Sequence, residues 1–238
     1  MVDGETMRQL VINADDLGYR EGINKGIIYA HTNGVVTSAS LFVEREGTAE
    51  AVELAKAHPS LGLGLHLDLD RFFTVDHHGG VVTEWLSPKP SLEEIRAEVK
   101  RQLDKFYSFG FTADHIDSHH HAHLYPEVFP IVCEAARDCK IPVVRFFPKY
   151  ATEPSDIEAF KKILSQNNLI AADHFIEGWY WGNVDESYQF AELMTHPGYG
   201  ELWREAELAH SCQPQLKQYL IDQKIDLLRF SDIVVSNR

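Results

Sequence analysis

The 238-residue chain has three cysteines, no apolar run approaching 18 residues, and no cluster of lysine and arginine. Cys133, Cys139 and Cys212 are odd in number and include no CxxC, which argues against a disulfide scaffold and suits a reducing compartment. Without a long apolar run, no membrane-spanning helix is expected. The N-terminal MVDGETMRQLVINADD lacks the basic and apolar succession of a secretory leader, so the cytoplasm is the expected location. Only 22 basic residues face 36 acidic ones, a formal charge of -14 that repels phosphate backbones and excludes nucleic acid as a natural partner. GxGxxG following a strand, GxxxxGK[ST] and GxSxG are also missing, which removes a dinucleotide fingerprint, a phosphate loop and a serine elbow.

What the chain does have is a hydrophobic fraction of 44%, enough for a substantial core. Apolar runs and helical periodicities alternate along it. Strands are expected at 10–14, 35–43, 61–69, 114–118, 143–147, 172–175, 192–195 and 226–230. Helices are expected at 22–32, 49–57, 91–109, 126–138, 156–166, 185–191 and 212–221, with Ser91 and Glu94 in capping-box spacing. Residues 71–90, broken by Gly79-Gly80, Pro88 and Pro90, read as a long variable connection, a lid or substrate loop. This order predicts an α/β chain, a single-domain (β/α) barrel-like fold over residues 8–235, distorted or incompletely closed; an open doubly wound sheet is the alternative.

The polar residues fall at strand ends, which in a parallel barrel share one rim. Asp15-Asp16 end the first strand, His66 lies late in the third, and DHIDSHHHAH (114–123) begins where another finishes. Five imidazoles in ten residues cannot all enter an apolar core without a desolvation cost, so the strand should end near Ser118 and the rest turn over the rim. Asp15 or Asp16, His66 and one histidine of 119–123 would supply three ligands to a catalytic cation with positions left open. The second aspartate would then be placed to take a proton from water, and Asp117 could fix a histidine tautomer. His196, in THPGY, is a candidate proton donor to a leaving group. Arg145 could contact substrate oxygens, and Trp179, Tyr180 and Trp181 offer aromatic faces to a sugar ring or to packing.

NADDLG (13–18), TSASLFV (37–43), GLGLHL (62–67), HIDSHHHAH (115–123) and THPGY (195–199), in that order, resemble the YdjC-like carbohydrate deacetylases, a group that includes chitooligosaccharide deacetylases. The resemblance runs from about residue 10 to 230 and implies a barrel-like deacetylase, commonly a homodimer, with one divalent cation, usually Mg2+ with Zn2+ possible. By the family motifs Asp16, His66 and His119 are the metal ligands, Asp15 the general base and His196 the leaving-group acid. Asp117, His121, His123, Arg145 and Trp179 are then candidates for supporting or substrate-contacting residues. The implied substrate is an acetylated sugar, an N-acetylglucosamine unit in a mono- or short oligosaccharide such as the β-linked disaccharide. The competing readings are a metal-dependent hydrolase of another ester or phosphoester bond, a glycoside hydrolase, and an inert metal- or sugar-binding protein.

Overall fold

Leu10, Val11, Ile12, Ala14 and Leu17 are all fully buried, and with them β1 (Arg8–Leu17) becomes an interior strand covered on both faces. In the computed structural model, which describes residues 8–179 and 183–236, β1 pairs in parallel with β9 (Phe190–Thr195) and β10 (Ile225–Leu227). The strands β2 (Ser38–Leu41), β3 (Gly62–Leu67), β6 (His115–Ser118), β7 (Val143–Val144) and β8 (His174–Ile176) complete an eight-stranded sheet. Its order is β7-β6-β3-β2-β1-β9-β8, with β10 added on β1. Because β7 and β8 are not joined in that order, the fold is a distorted, incompletely closed (β/α) barrel, as the alternating runs predict.

The chain divides into two compact units. The first takes the residues through Ala39, Arg45–Gly62 and those from Ala172 onward. It holds β1 and β8 to β10 with helices α1 (Glu21–Asn33), α2 (Thr48–Ala57), α6 (Leu202–Ser211), α7 (Pro214–Asp222) and α8 (Phe230–Ser236). The second takes Ser40–Glu44 and Leu63–Ala171. It holds β3, β6 and β7, the antiparallel pair β4 (Phe73–Asp76) and β5 (Val81–Trp85), and helices α3 (Leu92–Ser108), α4 (Phe129–Asp138) and α5 (Pro154–Gln166). Among the described residues no helix is long and apolar enough to cross a membrane.

Several elements differ from the sequence expectation, among them α8, which begins where the strand expected at 226–230 was to end. Residues 185–189 form no helix; Asp173 accepts from the backbone N–H groups of Gln189 and Phe190 and draws the chain straight into β9. The connection 71–90 contains the β4–β5 hairpin, on which Phe73 stacks against Trp85 with ring centroids 4.2 Å apart. Helix α6 was not expected because its inward face carries Arg204, Glu207 and Ser211 beside Leu208, a polar stripe that an apolar count passes over. The Ser91–Glu94 capping box, by contrast, is present at the start of α3.

Candidate active site

In the first unit the site begins where β1 stops being a strand. Consecutive residues of an extended chain point to opposite faces, but Asp16 has φ +73°, which breaks the alternation directly after Asp15. A left-handed aspartate costs about 1 kcal/mol or more, and local bonds hold it. Asp16 O accepts from Tyr19 N–H at 3.0 Å, and Gly18 N–H donates to Asn24 Oδ1 at 2.7 Å. Asp15 is buried, and its Oδ1 accepts from Asn13 Nδ2 at 2.8 Å.

Arg204, on α6, donates from Nη2 to Asp16 Oδ2 at 2.5 Å and from Nε to Glu201 at 3.1 Å. Glu207, one turn further, accepts from Thr195 Oγ1 at 2.6 Å and from the His196 backbone N–H at 2.5 Å. The two residues therefore tie Asp16 and His196 to a single helix, although neither was singled out in the sequence. Their signal was the RxxE spacing eight residues after His196. The THPGY turn also lies close on α1: a Cβ built on Gly26 would stand 2.4 Å from Gly198 Cα, so only glycine fits there. Trp179 packs on His210 and donates to Ser211 at 3.1 Å, at the far end of α6 from His196. Tyr180 and Trp181 lie outside the described residues.

In the second unit the centre is Asp117, fully buried on β6. Its Oδ1 accepts from His66 Nδ1 at 2.7 Å. Its Oδ2 accepts from Ser40 Oγ at 2.7 Å and faces Arg145 Nη2 at 2.8 Å. Burial alone would raise this carboxyl, but the Arg145 guanidinium and the adjoining His66 and His115 hold it well below the carboxylate range. With Nδ1–H committed to a charged carboxylate, His66 presents Nε2 as its lone-pair nitrogen, the tautomer a metal ligand needs. Gly64 makes room for this arrangement: a Cβ there would fall 2.4 Å from the His115 ring, which reaches Ser40 at 2.9 Å.

Strand β6 ends at Ser118, and His120 and His121 follow with φ +47° and +55°. These two left-handed residues fold the chain back over the rim, as the density of imidazoles predicts. His119 is partly exposed and packs near His66, ring centroids 5.6 Å apart, with the edge of Phe42 against both. Asp70, His119 and His120 offer ligand atoms within 4.8 Å of one another, and His120 Nδ1 bonds Asp70 Oδ2 at 2.8 Å. Groupings of aspartate and histidine of this kind suit a divalent cation.

His123 turns inward: Nε2 donates to the Arg145 carbonyl at 3.0 Å and Nδ1 accepts from Ser118 Oγ at 2.6 Å. Burial pushes its pKa down to about 4 despite the attraction of Asp117, with Arg145 adding to the depression. Burial, with the charge of Arg145, likewise keeps His121 well below the ordinary imidazole value. Both are buried neutral imidazoles beneath the rim, and Arg145 is itself only 1% exposed.

The YdjC-like protein family model matches residues 9–222. A carbohydrate deacetylase of Brevibacillus brevis is 35% identical over 257 residues, covering 94% of this chain and 99% of the relative. A chitooligosaccharide deacetylase of Proteus mirabilis is 31% identical, covering 94% and 98%. Among solved structures, a protein of Enterococcus faecalis V583 superposes with a TM-score of 0.77 at 23% identity, covering 95% of this chain and 99% of its own; it shares the fold.

Proposed function

The chain belongs to the YdjC-like carbohydrate deacetylase family, and on that premise we propose that it hydrolyses the N-acetyl group of an N-acetylglucosamine unit in a mono- or short oligosaccharide, releasing acetate. The observation that carries this reading is His66. It is a buried imidazole whose Nδ1 bonds an ionised Asp117, which fixes the tautomer in which Nε2 carries the lone pair that a cation takes.

Asp16, His66 and His119 are the residues that would hold the cation, Mg2+ or Zn2+. One carboxylate with two imidazoles fits either ion. The chemistry supplied at such a site, once loaded, is polarisation of the acetyl carbonyl and acidification of water. Asp15, oriented by Asn13, takes the proton of the attacking water. The carbon–nitrogen bond breaks as His196 delivers a proton to the departing nitrogen, leaving acetate and a free amine. Glu207 fixes the backbone of His196, which places the imidazole without clamping its ring: Nδ1 is 3.9 Å from the carboxylate.

The test is incubation with acetylated mono- and disaccharides, measuring acetate and product mass. Loss of one acetyl mass per turnover is the expected result. Cleavage of the glycosidic bond, or release of phosphate from phosphorylated sugars without acetate, would overturn the assignment.

A further inference from the structure

We propose that Trp203 is the platform for the sugar unit adjoining the one that loses its acetyl group, so that the site is built for at least a disaccharide. This rests on the deacetylase reading above. Trp203 is 48% exposed, and its neighbours Leu202 and Tyr199 are 87% and 42% exposed. Leu202 and Trp203 thus open α6 with large apolar side chains turned to solvent. The indole is nevertheless held in place. Arg204 Cζ lies 4.3 Å from its ring centroid, and the same guanidinium is anchored on Asp16. The His196 ring meets it in a T-shaped contact at 5.5 Å.

Those contacts decide the occupant. A proton donor to the departing nitrogen must lie beside the carbon that bears it, and that carbon belongs to a pyranose ring. A flat aromatic surface one ring-width from His196 therefore faces either that pyranose or the next one along the chain. Sugar rings present apolar C–H faces that stack on indole, while their hydroxyls stay in water. Because His196 already borders the reacting unit, the half-exposed part of the indole is available to the adjoining sugar. Trp179, bonded to Ser211 at the other end of α6, is not placed to share this role.

The experiment compares kcat/KM for the doubly acetylated β-linked disaccharide and for N-acetylglucosamine in wild type, Trp203→Ala and Trp203→Phe. The disaccharide-to-monosaccharide ratio should fall by roughly tenfold in the alanine variant, mainly through KM, with the phenylalanine variant in between. An unchanged ratio in a folded Trp203→Ala protein overturns the proposal. So does a change in sedimentation that shows the patch to be covered by a second copy of the chain. If wild type releases no acetate from either sugar, the deacetylase reading itself fails. Calorimetric binding of the disaccharide then decides the platform alone: weaker binding by Trp203→Ala upholds it, and equal or absent binding removes it.

Discussion

At the scale of single residues, Asp117 is the group whose removal separates metal binding from chemistry. Asp117→Asn keeps the shape but loses the charge that pairs with Arg145 and orients His66. The expected result is a 10- to 100-fold weaker affinity for the cation, roughly the cost of losing a supporting carboxylate, measured by competition with a chelator. Asp15→Asn should behave in the opposite way, retaining metal while turnover falls by roughly 100-fold or more; near-normal turnover would remove Asp15 as the base. That Asp15, Asp16, His66 and His119 fall at or just beyond strand ends was legible, because charged and imidazole side chains are costly inside an apolar core. Arg204 and Glu207 were not, because RxxE within a helix has the look of a solvated face until the turn is seen to bury it.

The scale of elements shows what periodicity can and cannot reveal. Buried parallel strands announce themselves as continuous apolar runs, and β1 and β3 fall where those runs lie, whereas β6, with Ile116 as its one apolar residue, is marked instead by the polar motif that follows it. The β4–β5 hairpin was hidden because its residues are mostly half-buried or exposed, so neither a run nor a clean alternation marks it. The start of β9 was hidden because its entry is set by Asp173, sixteen residues from Gln189. The join between α1 and the THPGY turn is likewise non-local. Gly26→Ala would force a Cβ to within 2.4 Å of Gly198 Cα. Overpacking of this kind costs about 1–3 kcal/mol, and the backbone most free to yield is the turn bearing His196. The variant should therefore lose several degrees of melting temperature and a larger share of turnover than of metal content. Full activity with only a lowered melting temperature would show that His196 keeps its place by other contacts.

For the molecule as a whole, the buried imidazoles beneath the rim set a pH dependence of stability. His123 has a folded pKa of about 4 against an ordinary value of 6.5. Between those values the unfolded chain binds a proton that the folded chain refuses, so stability rises with pH across the interval. The contribution is complete above about pH 6.5 and is lost progressively as pH falls toward 4, a span worth about 3 kcal/mol. His121, depressed in the same direction, adds to the slope. Asp117 acts in a separate window: its folded value lies below the ordinary 3.8, so its contribution holds above that value and fades only in stronger acid. Urea melts between pH 4 and 7 should thus show a steep loss of stability on the acid side. The loss should be shallower in His123→Gln, where an uncharged amide replaces the imidazole between Ser118 and the Arg145 carbonyl. A slope identical to wild type would mean that His123 is protonated in the folded protein and that the inward turn after β6 tolerates a charge.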